Sequence, residues 1–174
     1  MRPGGGHAKG AAFERDVCRH LSRFVDPHGD DTLFWRSSLS GGRATVQNRK
    51  GGKNRSQLGD LTCVHEAGHW LTNLFTVECK FYASLQIESS LLFGKGLLAD
   101  FWRVHCKLAR KHDRHPILIA KQNRRPALVL FDAAGLHSFR AVGHHATPIL
   151  ECLTIRQRTT YVCFFDEVFT VARK

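Results

Sequence analysis

Two short runs, GDLTCV at 59–64 and FTVECK at 75–80, constrain this chain more than any other feature, because both alternate polar and apolar residues with a period of two. Successive side chains of a strand point to opposite faces. Thr76, Glu78 and Lys80 therefore share one face of the second run, and Phe75, Val77 and Cys79 share the other. In the first run Asp60 and Thr62 oppose Leu61 and Cys63. The alternation predicts strands over about 58–64 and 71–80, with HEAGH at 65–69 as the turn between them. If the two strands pair as a hairpin, Asp60 lies beside Glu78. Carboxylates so placed repel unless they are protonated, bound to a cation or separated by solvent. A hard divalent ion such as Mg²⁺ meets that need with oxygen ligands. Lys80 then stands near enough to orient a water or to offset charge on a phosphate under attack. The plain alternative is a solvated sheet face carrying the same three charges.

The rest of the chain supplies a frame for these strands. Phe13, Val17, Leu21 and Phe24 recur at helical spacing, and Glu14 sits at the edge of that stripe as a third acid. Residues 32–36 read as a short strand, 91–112 as a helix, and 115–121 and 127–132 as two buried strands. The order helix, three strands, helix, two strands predicts an α/β fold, a central mixed sheet flanked by helices. With 174 residues the chain is one domain long. A flexible lead spans 1–10 and the core 11–132. A C-terminal extension at 133–174 packs on the core, with further strands at 151–156 and 160–165 as an edge hairpin.

Charge narrows the partners. Lys plus Arg is 26 against 15 Asp plus Glu, a net charge of +11, which points to a polyanion such as nucleic acid. Arg43, Arg49, Lys50, Lys53 and Arg55 crowd a Gly- and Asn-containing loop that could drape along phosphates. A second basic stripe runs through Arg103, Lys107, Arg110 and Lys111, and a solvated face explains it equally well. The six cysteines are widely and irregularly spaced, which fits reduced thiols in an intracellular protein. No run of apolar residues is long enough for a membrane span. No GxxxxGK[ST] loop is present, so no nucleotide cofactor is expected.

Three weaker signals are set against structural readings. His65-Glu66-Ala67-Gly68-His69 matches HExxH, whose zinc chemistry needs both histidines on one helical face. Here it lies between alternating strands and contains Gly68, so a hairpin tip is expected and a zinc peptidase is the least favoured function. His144-His145 has no acid nearby to complete a metal site. Trp35, Trp70 and Trp102 are expected as core or interface anchors, not base-stacking platforms.

Four segments taken together, GAAFER at 10–15, WRSS at 35–38, Gly59-Asp60 and VECK at 77–80, resemble the PD-(D/E)xK nuclease superfamily, nearest to archaeal-type Holliday junction resolvases and their viral relatives. The resemblance implies a restriction-endonuclease-like core. It implies an Mg²⁺- or Mn²⁺-dependent endodeoxyribonuclease acting on branched DNA as a homodimer. Asp60, Glu78 and the Cys79 carbonyl would bind the metal, Glu14 would join its shell, and Lys80 would position the nucleophile. Arg36, Ser37 and Ser38 would touch the substrate backbone. Other roles within the superfamily, in restriction or end-processing, and a nucleic-acid-binding protein without turnover remain as alternatives. The chain departs from the common pattern in carrying Gly59, not proline, before Asp60. It also has a longer basic loop and a C-terminal extension.

Overall fold

Apolar spacing builds the first layer. In α1 (Gly5–Val25) the side chains of Phe13, Val17 and Leu21 are buried against the sheet, and Phe24 packs beside them. Fully burying one such side chain contributes about 1.5–3 kcal/mol. Pro27, which lacks an N–H, follows the end of the helix. The computed structural model of the chain describes residues 5–29, 31–37, 58–154 and 158–171.

Strands β1 (Phe34–Arg36) and β2 (Leu61–Cys63) form an antiparallel ribbon with Trp35 opposite Thr62. A 3-10 turn (Glu66–Gly68) and α2 (His69–Leu74) lead into β3 (Phe75–Tyr82). After α3 (Ile87–Phe93) and α4 (Leu97–Lys111) come β4 (His115–Gln122), β5 (Leu128–Asp132) and α5 (Ala133–Ala141). The described chain then runs through β6 (Leu150–Thr154), β7 (Arg158–Phe164) and α6 (Phe165–Val168).

The main sheet has five strands in the order β3-β4-β5-β7-β6. The β3–β4 pair is parallel and the other pairs are antiparallel, so the sheet is mixed. Its pleat sorts β4 between two cores. Ile117 and Ile119 join the α1 and α5 side, while Leu118 and Ala120 join Leu98 and Trp102 of α4. Helices thus cover both faces, the α/β architecture the sequence predicts. Residues beyond 132 supply two of the five strands, and β7 lies inside the sheet between β5 and β6.

Several local expectations need correction. The strand expected from residue 71 begins at Phe75, because Leu71, Leu74 and Phe75 are spaced three and four apart and Leu71 is buried as part of a helix. The hairpin expected between β2 and β3 does not form. Their connection is the 3-10 turn and α2, β2 pairs with β1, and β3 pairs with β4. The single helix expected over 91–112 is two helices. Gly94 adopts φ +63° and its N–H bonds the Ser90 carbonyl, which closes α3. Residues 133–141 form helix α5, which the sequence pattern does not announce; Asp132 caps it by accepting a 2.8 Å bond from the Gly135 N–H. Among the described residues, no helix is long and apolar enough to cross a membrane.

Candidate active site

The site lies on the edge of β3 that β4 leaves open. In an extended strand the N–H and C=O of one residue point to the same edge. Val77 and Cys79 direct theirs away from β4, and Asp60 occupies that edge. The Asp60 N–H donates to the Val77 carbonyl at 2.8 Å, and the Cys79 N–H donates to Asp60 Oδ2 at 2.8 Å. On the other side, the Ser37 N–H donates to the Asp60 carbonyl at 2.8 Å. Asp60 is thereby clamped between β1 and β3 with the residue only 5% exposed.

Gly59 makes the clamp sterically feasible. Its φ is +84°, and a Cβ there would lie 2.3 Å from the Val77 carbonyl oxygen. Proline, fixed near φ −65°, cannot adopt this backbone, so the departure from the common superfamily pattern has a conformational reason.

Electrostatics concentrate on the same edge. The Lys80 ammonium hydrogen-bonds Glu78 Oε1 and lies 3.9 Å from Asp60 Oδ2, bridging the two carboxylates. Burial, followed by repulsion from Glu78, pushes the Asp60 carboxyl up to about 7 despite Lys80 and the Cys79 N–H. Burial alone would lower the Lys80 pKa, but Glu78 and Asp60 together raise it above the ordinary 10.5, so the ammonium stays charged at neutral pH. The Cys79 thiol, fully buried on the opposite face, is pushed well up by burial and then by Asp60.

Glu14 approaches from α1, close enough that its charge also raises Asp60. Its carboxylate is bonded to the Arg36 guanidinium Nε. Arg36, expected on the substrate backbone, thus touches the site through Glu14. Ser37 is buried and contributes its backbone N–H. Ser38, Arg43, Arg49, Lys50, Lys53 and Arg55 lie outside the described residues.

Sequence reading missed what stands behind the charges. His105 of α4 is buried, with Nε2 2.8 Å from the Thr76 carbonyl. Burial lowers its pKa more than the nearby Glu78 raises it, which keeps the ring neutral. Its place on the apolar stripe of α4 was the available signal.

A divalent cation can be tested against this donor set. Two carboxylates and the Cys79 carbonyl face one edge, all hard oxygen donors, and the Lys80 ammonium already stands as a positive charge between the carboxylates. Asp60 has one oxygen free of the Cys79 bond. Hard oxygen donors of this kind suit a hard divalent cation such as Mg²⁺ or Mn²⁺. Among the described residues, no three His, Cys, Asp or Glu side chains converge as a ready-made metal group. HExxH does not build one: His65 caps the 3-10 turn by accepting from the Ala67 N–H at 3.3 Å, and His69 opens the next helix. The expected hairpin tip is likewise replaced by that turn. His144 stacks on Trp70 at 4.6 Å between ring centroids, a packing role.

Comparisons with known proteins bear on this geometry. Searches of curated proteins and of solved structures return no match. A family model described as phage putative PDDEXK endonuclease matches residues 5–171, a span that takes in Glu14, Asp60, Glu78 and Lys80. The mixed sheet flanked by helices is consistent with the restriction-endonuclease-like core of the PD-(D/E)xK nucleases. The chain belongs to the phage putative PDDEXK endonuclease family.

Proposed function

We propose that this nuclease hydrolyses DNA phosphodiesters with Mg²⁺ or Mn²⁺ held by Asp60, Glu78 and the Cys79 carbonyl, and that Glu14 supports the metal shell. The observation that carries this reading is the Asp60 clamp, which fixes a buried carboxylate beside Glu78 and Lys80. A bound divalent cation supplies charge to polarise a phosphoryl oxygen and lowers the pKa of a bound water. The chain's own residues do the rest. Lys80, charged at neutral pH, donates hydrogen bonds that orient the attacking water and offset charge on the phosphate. Arg36 holds the Glu14 carboxylate, and His105 supports the β3 backbone at Thr76. The water oxygen bonds to phosphorus and gives up a proton to solvent as the bond to the 3′ oxygen breaks, and the departing 3′ oxygen takes up a proton from water, leaving 5′-phosphate and 3′-hydroxyl ends.

Branched DNA, with the four-way junction as its type, is the substrate we assign. The support is the resemblance of residues 10–15, 35–38, 59–60 and 77–80 to Holliday junction resolvases, together with the net charge of +11. A homodimer that sets two such edges against one junction is the matching assembly. The basic segment that follows Ser37 is assigned to phosphate contacts.

A cleavage panel tests this. Four-way junctions, flaps, single strands and linear duplex are each offered with Mg²⁺, Mn²⁺ or EDTA, to the wild type and to Glu78→Gln. Paired, metal-dependent nicks near the junction centre that vanish in Glu78→Gln are expected. Equal cutting of linear duplex would keep the metal site and remove the junction assignment. Binding without any cutting would reduce the protein to a nucleic-acid binder.

A further inference from the structure

Trp35 behaves differently from the other two tryptophans. Trp102 is buried with its indole N–H on Thr160 Oγ1 at 2.9 Å, and Trp70 packs against Phe139 and His144. Trp35 is 60% exposed. Its indole N–H donates to the Thr32 carbonyl at 3.0 Å, so the ring is tied in one orientation while much of its surface meets water. A core anchor would have the reverse arrangement.

Its place in the ribbon ties it to the active edge. Trp35 stands opposite Thr62, and two residues further along the same ribbon face lies the Ser37–Asp60 pair. That is one strand repeat, about 7 Å. The residue between, Arg36, alternates to the other face of the ribbon, where it binds Glu14. Trp35, its ring held in place and open to solvent, is therefore one strand repeat along the backbone from the clamped Asp60, on a strongly basic chain.

We propose that Trp35 is a stacking platform for a nucleobase whose face is exposed next to the bond being cut. Any base offers a π-face, so such a platform does not read sequence. It selects instead for DNA structure, because a branch point, flap or single strand exposes base faces that a continuous duplex keeps stacked. The inference rests on the DNA-nuclease reading above and deepens it by giving that site a means of preferring branched or unpaired substrate.

The test measures binding by fluorescence anisotropy at one fixed salt concentration without divalent metal, on labelled junction, flap, single strand and linear duplex. The proteins are wild type, Trp35→Ala and Trp35→Phe. Removing a stacked aromatic costs about tenfold or more in affinity. Trp35→Ala should show that loss on junction, flap and single strand but change duplex affinity by less than about twofold, and Trp35→Phe should retain most of the binding. In wild type, acrylamide should reach the Trp35 indole before DNA is added and be shielded from it afterwards. Unchanged affinity in Trp35→Ala, an equal loss on duplex, or an indole already shielded in the free protein by a second copy would each overturn the proposal. Metal-dependent cutting by wild type, lost in Glu78→Gln, is scored separately. Cutting that survives with no Trp35 effect sinks only this inference, whereas a wild type that neither binds nor cuts DNA sinks the nuclease reading and this one with it.

Discussion

Asp60 fills a vacancy in the sheet: its Oδ2 accepts the Cys79 N–H at 2.8 Å, the bond a neighbouring strand's carbonyl would otherwise take. A side chain has replaced a backbone partner at the edge of β3. The carboxylate is thereby positioned by the sheet itself, and its burial follows from the same contact.

The first consequence concerns Gly59. Gly59→Ala forces a Cβ against the Val77 carbonyl and strains a backbone at φ +84°. We expect a loss of at least about 1–3 kcal/mol in urea unfolding. Cleavage should fall further than stability alone explains, because Asp60 can no longer reach Cys79. Gly59→Pro should be at least as damaging, since proline cannot take positive φ.

The pH dependence of stability follows from Asp60. Its pKa is raised from 3.8 to about 7 in the folded protein, so folding favours the protonated acid. That stabilisation is fully present below about pH 4 and disappears as pH rises through about 7. Metal-free protein should therefore show a Tm component that declines between these limits. Asp60→Asn should remove it, and Mg²⁺ at pH 8 should raise the wild-type Tm but not that of Asp60→Asn.

Turnover and binding should separate at Glu78 and Lys80. Lys80→Ala should lower kcat by about 10²–10³-fold, the scale for losing one electrostatic contact to a developing charge, and Glu78→Gln, which removes a charge that would hold the cation, by at least as much. Kd for DNA, measured without metal, should change little for Lys80→Ala, because that ammonium is already occupied by Glu78. A large loss of binding would instead mean that Lys80 leaves Glu78 and contacts the phosphate already in the bound complex, before the attack.

Thiol reactivity offers an independent check on burial. All six cysteines are free, and Cys63 alone is not buried. Burial pushes Cys18 up to about 12 and Cys163 up to about 11. Iodoacetamide at pH 8 should modify Cys63 in the native protein and leave Cys18, Cys79 and Cys163 untouched until denaturant is added, with mass spectrometry as the readout.

Legibility in the sequence differed from element to element for identifiable reasons. Strands β4 and β5 are runs of Ile, Leu, Val and Phe, and such residues in short runs announce themselves. Helix α2 hid because its six residues run directly into an alternating strand, Leu74 ending the helix and Phe75 opening the strand. Helix α5 hid because Asp132 reads equally as the end of a strand and as a cap. The tryptophans look alike as letters, and only packing separates buried Trp102 from exposed Trp35.

By itself the sequence determined the mixed α/β class and the alternation that puts Glu78 and Lys80 on one face of a strand. It could do so because period-two and helical patterning are local properties of the chain. Tertiary structure alone decided how Asp60 reaches Glu78. The two are joined across a parallel bridge between Gly59 and Val77, with a helix in the connection, and not across a hairpin. Strand pairing is a non-local choice, settled by which edges the buried cores leave open and by Gly59, whose missing Cβ lets the backbone pass that close to β3.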